Sequence, residues 1–114
     1  MSRVAYTVET ATYDATDRTN VELTTPGDRQ RYDKHILTIV CTGTPSAGTI
    51  TIRRKALNGT RWIALTDEFG VATTISLATN DCVEIDGAIE GLQIDIASLG
   101  TATAWKAVLS GIDY

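Results

Sequence analysis

The residues with the most chemistry to offer in this chain are basic. Arg53, Arg54 and Lys55 stand in a row, and Arg61 follows with Trp62 beside it. Guanidinium and ammonium groups next to an indole can hold an acidic partner surface, with the ring as an apolar anchor. Set on the edge of a sheet, the same charges would instead keep stray strands from pairing with it. Three charged residues in succession also break a two-residue alternation, which makes a β-bulge plausible there. Arg53, Arg54, Lys55, Arg61 and Trp62 are therefore the candidate partner contacts.

Other reactive side chains form weaker patterns. His35 is the only histidine. It could form a dyad with Asp33, but a nucleophile needs both a base and a group to orient that base. Its place ahead of the apolar run Ile36-Leu37-Thr38-Ile39-Val40-Cys41 suits a polar residue at a strand edge. Asp14 with Asp17, and Asp67 with Glu68, supply carboxylates. Calcium wants six or more oxygens, and neither pair sits in a recognisable ligand loop. Cys41 and Cys82 lie in apolar strand-like runs and read as buried free thiols, with a disulfide between neighbouring strands as the alternative. Two cysteines and one histidine fall short of a zinc site. Trp62 and Trp105 could be sugar-stacking platforms, although core or interface packing is the commoner fate of a strand tryptophan. The expectation is a protein that is not an enzyme, with no catalytic residue, no metal and no cofactor.

Charge narrows the partners further. The net charge is −4 and the pI about 4.8. Nucleic acid and anionic membrane surfaces both call for a cationic footprint, so neither is expected. No apolar stretch approaches a membrane span. Met1-Ser2-Arg3 leads straight into an alternating segment without a secretory pattern, so synthesis in a cytoplasm is expected.

The elements that would carry these residues are strands. Nineteen of the 114 residues are threonine. Many alternate with aliphatic residues, as in Thr49-Ile50-Thr51-Ile52, the pattern of a half-buried strand. Val4, Tyr6 and Val8 share one face of a first strand, and Val21-Glu22-Leu23-Thr24 is a short second one. Pro26-Gly27 marks a turn before the charged stretch Asp28 to Lys34. The nearly continuous apolar run from Ile36 belongs in a sheet centre or under cover on both faces. Asn58-Gly59 joins two alternating runs and predicts a tight hairpin between residues near 49–56 and 61–66. Val71, Thr73, Ile75 and Leu77 share a face. Ala88 to Gly91 allows one helical turn at most, Leu92, Ile94 and Ile96 alternate, and Thr101 to Leu109 is the last strand. The predicted core includes Ile50, Ile52, Ile75, Leu92, Ile94 and Ile96. About eight short strands at this spacing give an all-β, single antiparallel β-sandwich, of jelly-roll or immunoglobulin-like type. It spans residues 1–114 as one domain, with 1–20 as a possible extended N-terminal arm.

Several segments carry a resemblance. They are Ser46-Ala47-Gly48-Thr49-Ile50-Thr51-Ile52, then Asn58-Gly59-Thr60-Arg61-Trp62-Ile63-Ala64-Leu65, then Asp86 through Ile96, then the Gly100-Thr101 turn and final strand. Over roughly residues 46 to 110 the chain resembles the small β-sandwich structural proteins of tailed-bacteriophage virions, including capsid decoration and cement proteins. The resemblance implies a symmetric homo-oligomer, often a trimer, bound to the major capsid protein or another virion protein. A tail or tail-fibre component is the nearest alternative, and a carbohydrate-binding or adhesion module a more distant one.

Overall fold

The computed structural model describes residues 3–26, 34–56, 58–66, 74–77, 82–87 and 89–113. Its regular elements are all strands: β1 (Arg3–Glu9), β2 (Tyr13–Asp14), β3 (Arg18–Thr24), β4 (Lys34–Thr42), β5 (Thr49–Ala56), β6 (Ile63–Ala64), β7 (Thr74–Ser76), β8 (Cys82–Asp86), β9 (Ile89–Ala97) and β10 (Ala104–Asp113). They form two five-stranded antiparallel sheets. Sheet one runs β1-β10-β4-β8, with β2 prolonging the β1 edge along β10. Sheet two runs β3-β9-β5-β6, with β7 on the same flank of β5 as β6. From β3 to β10 the chain changes sheet at every step except β5 to β6 and β6 to β7, so most strand neighbours are far apart in sequence. That order is a jelly roll. An immunoglobulin-type sandwich would group its strands differently.

Alternation sorts the residues between core and surface. On sheet two, Val21, Ile94 and Ile52 form one inward row, and Leu23 and Leu92 the next. On sheet one, Leu109 and Leu37 pair across β10 and β4, as do Ala107 and Ile39. The predicted core residues Ile50, Ile52, Leu92, Ile94 and Ile96 are all buried. The side chain of Ile75 lies outside what is described. Trp105 is also buried, against the ring of Tyr13, over which the Arg18 guanidinium lies 4.2 Å from the ring centre.

One inward row of sheet one is unusual. Tyr6 pairs with Gly111, Gly111 with His35, and His35 with Ile85. The Tyr6 ring lies over Gly111, where a Cβ would meet ring carbons. Burial pushes the Tyr6 phenol well above its ordinary pKa, so it keeps its proton, and its hydroxyl is hydrogen-bonded to His35 Nδ1 at 2.5 Å. His35 is thus a core residue and not a strand-edge one: β4 starts at Lys34, and the alternation that turns Leu37 inward turns His35 inward as well.

Four other expectations change. Residues 3–9, expected as part of an arm, pair with β10 and close one flank of sheet one. The Asn58 turn is present, with Asn58 at φ 61° and the Gly59 N–H donating to Ala56 O. The hairpin is not tight, because pairing between β5 and β6 is confined to Arg53–Ala64 and Arg54–Ile63 while Lys55 and Ala56 continue along β9. Residues 89–91 belong to β9 and not to a helical turn. Cys82 is exposed and Cys41 half-buried, neither in a disulfide, and Cys82 takes an outward position opposite Thr38. Gly27 to Asp33, Asp67 to Thr73 and Ala88 lie outside the described residues.

Candidate protein-interaction surfaces

Strand alternation splits the basic run. Arg53 and Lys55 point out from sheet two, while Arg54 takes the inward position at the end of the sandwich. Arg53 is engaged by its own molecule. Its guanidinium donates to both carboxylate oxygens of Asp95, at 2.6 and 3.0 Å, and its Nε donates to Gln93 Oε1 at 2.7 Å. A bulge in β3 between Arg18 and Val21 brings Asn20 to the same spot at φ 58°. The Asn20 N–H donates to Asp95 Oδ1, and Asn20 Oδ1 accepts from Arg53. Hydrogen bonds from Arg53, then from Asn20, hold the Asp95 carboxyl below the usual carboxylate range.

This cluster ties three strands of the outer face together and has a pH signature. A carboxylate with a depressed folded pKa adds stability above its unfolded value, and the gain is lost as pH falls through the folded one. Asp95→Asn should therefore cost about 1.5 kcal/mol at neutral pH, in line with hydrogen bonds to charged groups. The difference from wild type should shrink as pH drops below about 4. Urea unfolding across that range checks both parts.

Lys55 and Trp62 meet beside a second bulge. β5 and β9 slip register between Lys55 and Ala56, leaving Glu90 as the extra residue between Gly91 and Ile89. The bulge keeps Ile89 inward and sends Glu90 to the outer face. There it accepts the Asn58 N–H at 3.0 Å and pairs with Lys55 at 3.6 Å. Buried Thr25 fastens the bulge, its hydroxyl within 2.9 Å of Ile89 O and 2.8 Å of Glu90 O. Glu22, Thr24, Lys55, Trp62 and Glu90 line a shallow hollow of about 110 Å³. The Lys55 ammonium lies 5.8 Å from the Trp62 ring centre, so that face of the indole is partly occupied. Trp105, the other candidate sugar platform, is in the core.

The remaining basic residues are more open. Arg61 is exposed beside Ile63, which is 53% exposed, and both line a hollow of about 240 Å³ with Ala56, Gly59 and Thr60. Arg54 faces the opposite way, into a cleft of about 210 Å³ with Leu65, Val83, Glu84 and Asp86 between the flanks of the two sheets. The structure therefore joins Lys55 with Trp62 and Arg61 with Ile63, and separates Arg53 and Arg54 from both pairs.

A further surface was not singled out from sequence. The outer face of sheet one carries Ile36 and Val40 from β4 and Val108 and Ile112 from β10. Its register sets Val108 opposite Thr38, and Ile36 opposite Ser110, so the four aliphatic residues zigzag along the middle of the sheet. Ion pairs frame them: Lys106 with Glu9 at 3.2 Å on one flank, and Lys34 with Glu84 at 2.7 Å on the other. The signal in the sequence was the continuous apolar character of Ile36 to Cys41.

No protein-family model matches the chain, and no curated relative does. Solved structures share its fold over nearly its whole length. The SPBc2 prophage-derived protein YomS superposes with a TM-score of 0.53 at 14% identity, over 96% of this chain and 98% of that one. A chain of the Triatoma virus empty capsid gives 0.55 at 6% identity, over 99% and 87%. At these identities the likeness is one of fold. Among the described residues no helix is long and apolar enough to cross a membrane, and no three or more His, Cys, Asp or Glu side chains gather as metal ligands.

Proposed function

We propose that this chain is a structural protein of a phage particle, of the capsid decoration or cement kind, which steadies the head by bridging major capsid protein subunits. It is made in the host cytoplasm and resides in the virion. The observation that carries this reading is a whole-chain jelly roll, like those of a prophage-derived protein and a viral capsid chain, with aliphatic side chains presented outward. Its action is mechanical. Contacts across neighbouring subunits bury surface that internal pressure would otherwise separate. The contact end is the β5–β6 connection, where Arg61 offers a guanidinium to an acidic shell surface and Ile63 an aliphatic anchor, with Lys55 and Trp62 in a hollow of their own and Arg54 turned away into the cleft beside β8. Arg53 supports this end from within sheet two. Self-association belongs to the same reading: the resemblance alone implies a trimer, whereas the outer face of sheet one suits a twofold pair.

The test mixes purified protein with capsids, lacking it, of the phage that encodes it. Bound capsids should withstand heating better than bare ones, and the gain should grow with protein concentration. Arg61→Glu combined with Ile63→Asp should weaken binding roughly 100-fold, a loss of about 2.7 kcal/mol, while the free protein melts as wild type. Added density on the tail in place of the head would move the protein to the tail-component reading. Binding to neither would end the virion assignment.

A further inference from the structure

We propose that the outer face of sheet one is a contact between two copies of this chain, related by a twofold axis. The case begins with β4. Its inward residues Leu37 and Ile39 are covered by sheet two. Its outward residues include Ile36 and Val40, and no described element packs over them: Val40 is 45% exposed. A strand apolar on both faces belongs in a layer covered on both sides. The outer face of sheet two makes the contrast, for its corresponding positions are Glu22, Thr24, Gln93, Asp95, Arg53 and Lys55.

The shape of the face fits a copy of itself. Val40, Val108, Ile36 and Ile112 form the seam, and Thr38 and Ser110 between them are short enough to keep it flat. An apolar centre within a charged frame is the anatomy of a protein interface. The four strands β1, β10, β4 and β8, of 7, 10, 9 and 5 residues at roughly 3.3 Å per residue and about 4.8 Å apart, give a flat face of about 500 Å². Two such faces come to about 1,000 Å², the lower bound for a specific interface and the size of a weak, dissociable dimer.

The charges have a matching arrangement. Glu9 and Lys106 occupy one corner, on the β1 side at the Thr42 end. Lys34, Glu84 and Asp86 occupy the diagonally opposite corner, on the β8 side at the Lys34 end. Asp86 and Glu84 keep 82% and 54% of their side chains exposed, although Lys34 lies near both. A twofold partner packed with its strands near right angles, one of the two standard ways for sheets to stack, sets each Lys106 corner over the other copy's Glu84–Asp86 corner.

The test needs only the purified full chain, so its failure is separate from failure of the virion assignment. Sedimentation should give a dimer at high micromolar concentration that dissociates on dilution. Val40→Lys buries an unpaired charge in the contact but stays half-exposed in the monomer, so it should weaken the dimer at least roughly 100-fold and leave monomer melting unchanged. Val108→Glu is the second variant, read alongside circular dichroism. Cys82 lies in the same row as Val108 and Thr38. In a Cys41→Ser background, its reaction with a thiol reagent should slow at concentrations where the dimer forms. A monomer at all concentrations, a trimer, or a dimer that survives both variants with Cys82 labelling unchanged would overturn the proposal.

Discussion

Gly111→Ala should destabilise the protein by about 3–4 kcal/mol, the sum of an overpacking term and the loss of a buried hydrogen bond. Backbone conformation is not the cause; space is. A Cβ at residue 111 would lie 2.0 Å from Tyr6 Cε1 and 2.4 Å from Cδ1, so the ring has to leave its seat. The Tyr6 hydroxyl then loses Nδ1 of His35, a side chain with no exposed surface. For a domain of this size the melting temperature should fall by roughly 12–16 °C, measurable by circular dichroism. The double variant Tyr6→Leu with Gly111→Ala should cost less than the sum of the two single substitutions, because the smaller side chain vacates the space that the new methyl needs. Strict additivity of the two substitutions would show that Tyr6 and Gly111 do not pack as described. Burial also raises the Tyr6 pKa, so its contribution holds below about pH 10 and is lost as pH rises through the folded value.

The row Tyr6–Gly111–His35 illustrates what a sequence can and cannot convey. Val4, Tyr6 and Val8 announce a strand, and so do Ile36 to Cys41, but nothing local says that β10 lies between them. That neighbourhood depends on the chain winding through two sheets before returning, which is why His35 reads as a strand-edge residue in sequence and is a core residue in space. The same non-locality governs Arg53. As part of Arg53-Arg54-Lys55 it looks available to a partner, yet its carboxylate lies 42 residues away on β9, and Asn20 reaches it through a bulge. Strand identity and core faces were legible because the two-residue period is a local property. The division of the basic run was half legible, since alternation alone separates Arg54 from its neighbours. The Glu90 bulge was misread because a β-bulge and the start of a helical turn both interrupt alternation, and Thr25, which fastens it, is 65 residues distant. The sandwich itself was expected, and only the strand order separates a jelly roll from an immunoglobulin-like arrangement.

Ile94→Ala should cost about 4 kcal/mol, near the upper part of the range for a large aliphatic residue in a rigid site. Ile94 has no exposed surface and sits on the middle strand of sheet two, flanked by Val21 on β3 and Ile52 on β5. Both neighbours are β-branched or hydrogen-bonded into strands on either side, so the cavity can close only by bending the sheet. The melting temperature should drop by roughly 16 °C. Ile63→Ala removes the same atoms from a residue 53% exposed at the end of sheet two and should change stability by less than about 0.5 kcal/mol. The pair compares identical chemistry in two environments, so the difference measures burial and packing alone. Equal effects at both sites would mean that the inward face of β9 has been wrongly assigned. If Ile63→Ala leaves folding intact but weakens attachment to a capsid, the same exposed atoms are stabilising a complex instead of the fold. A residue that contributes little to its own domain and much to an assembly is what the β5–β6 connection requires if it is the contact end.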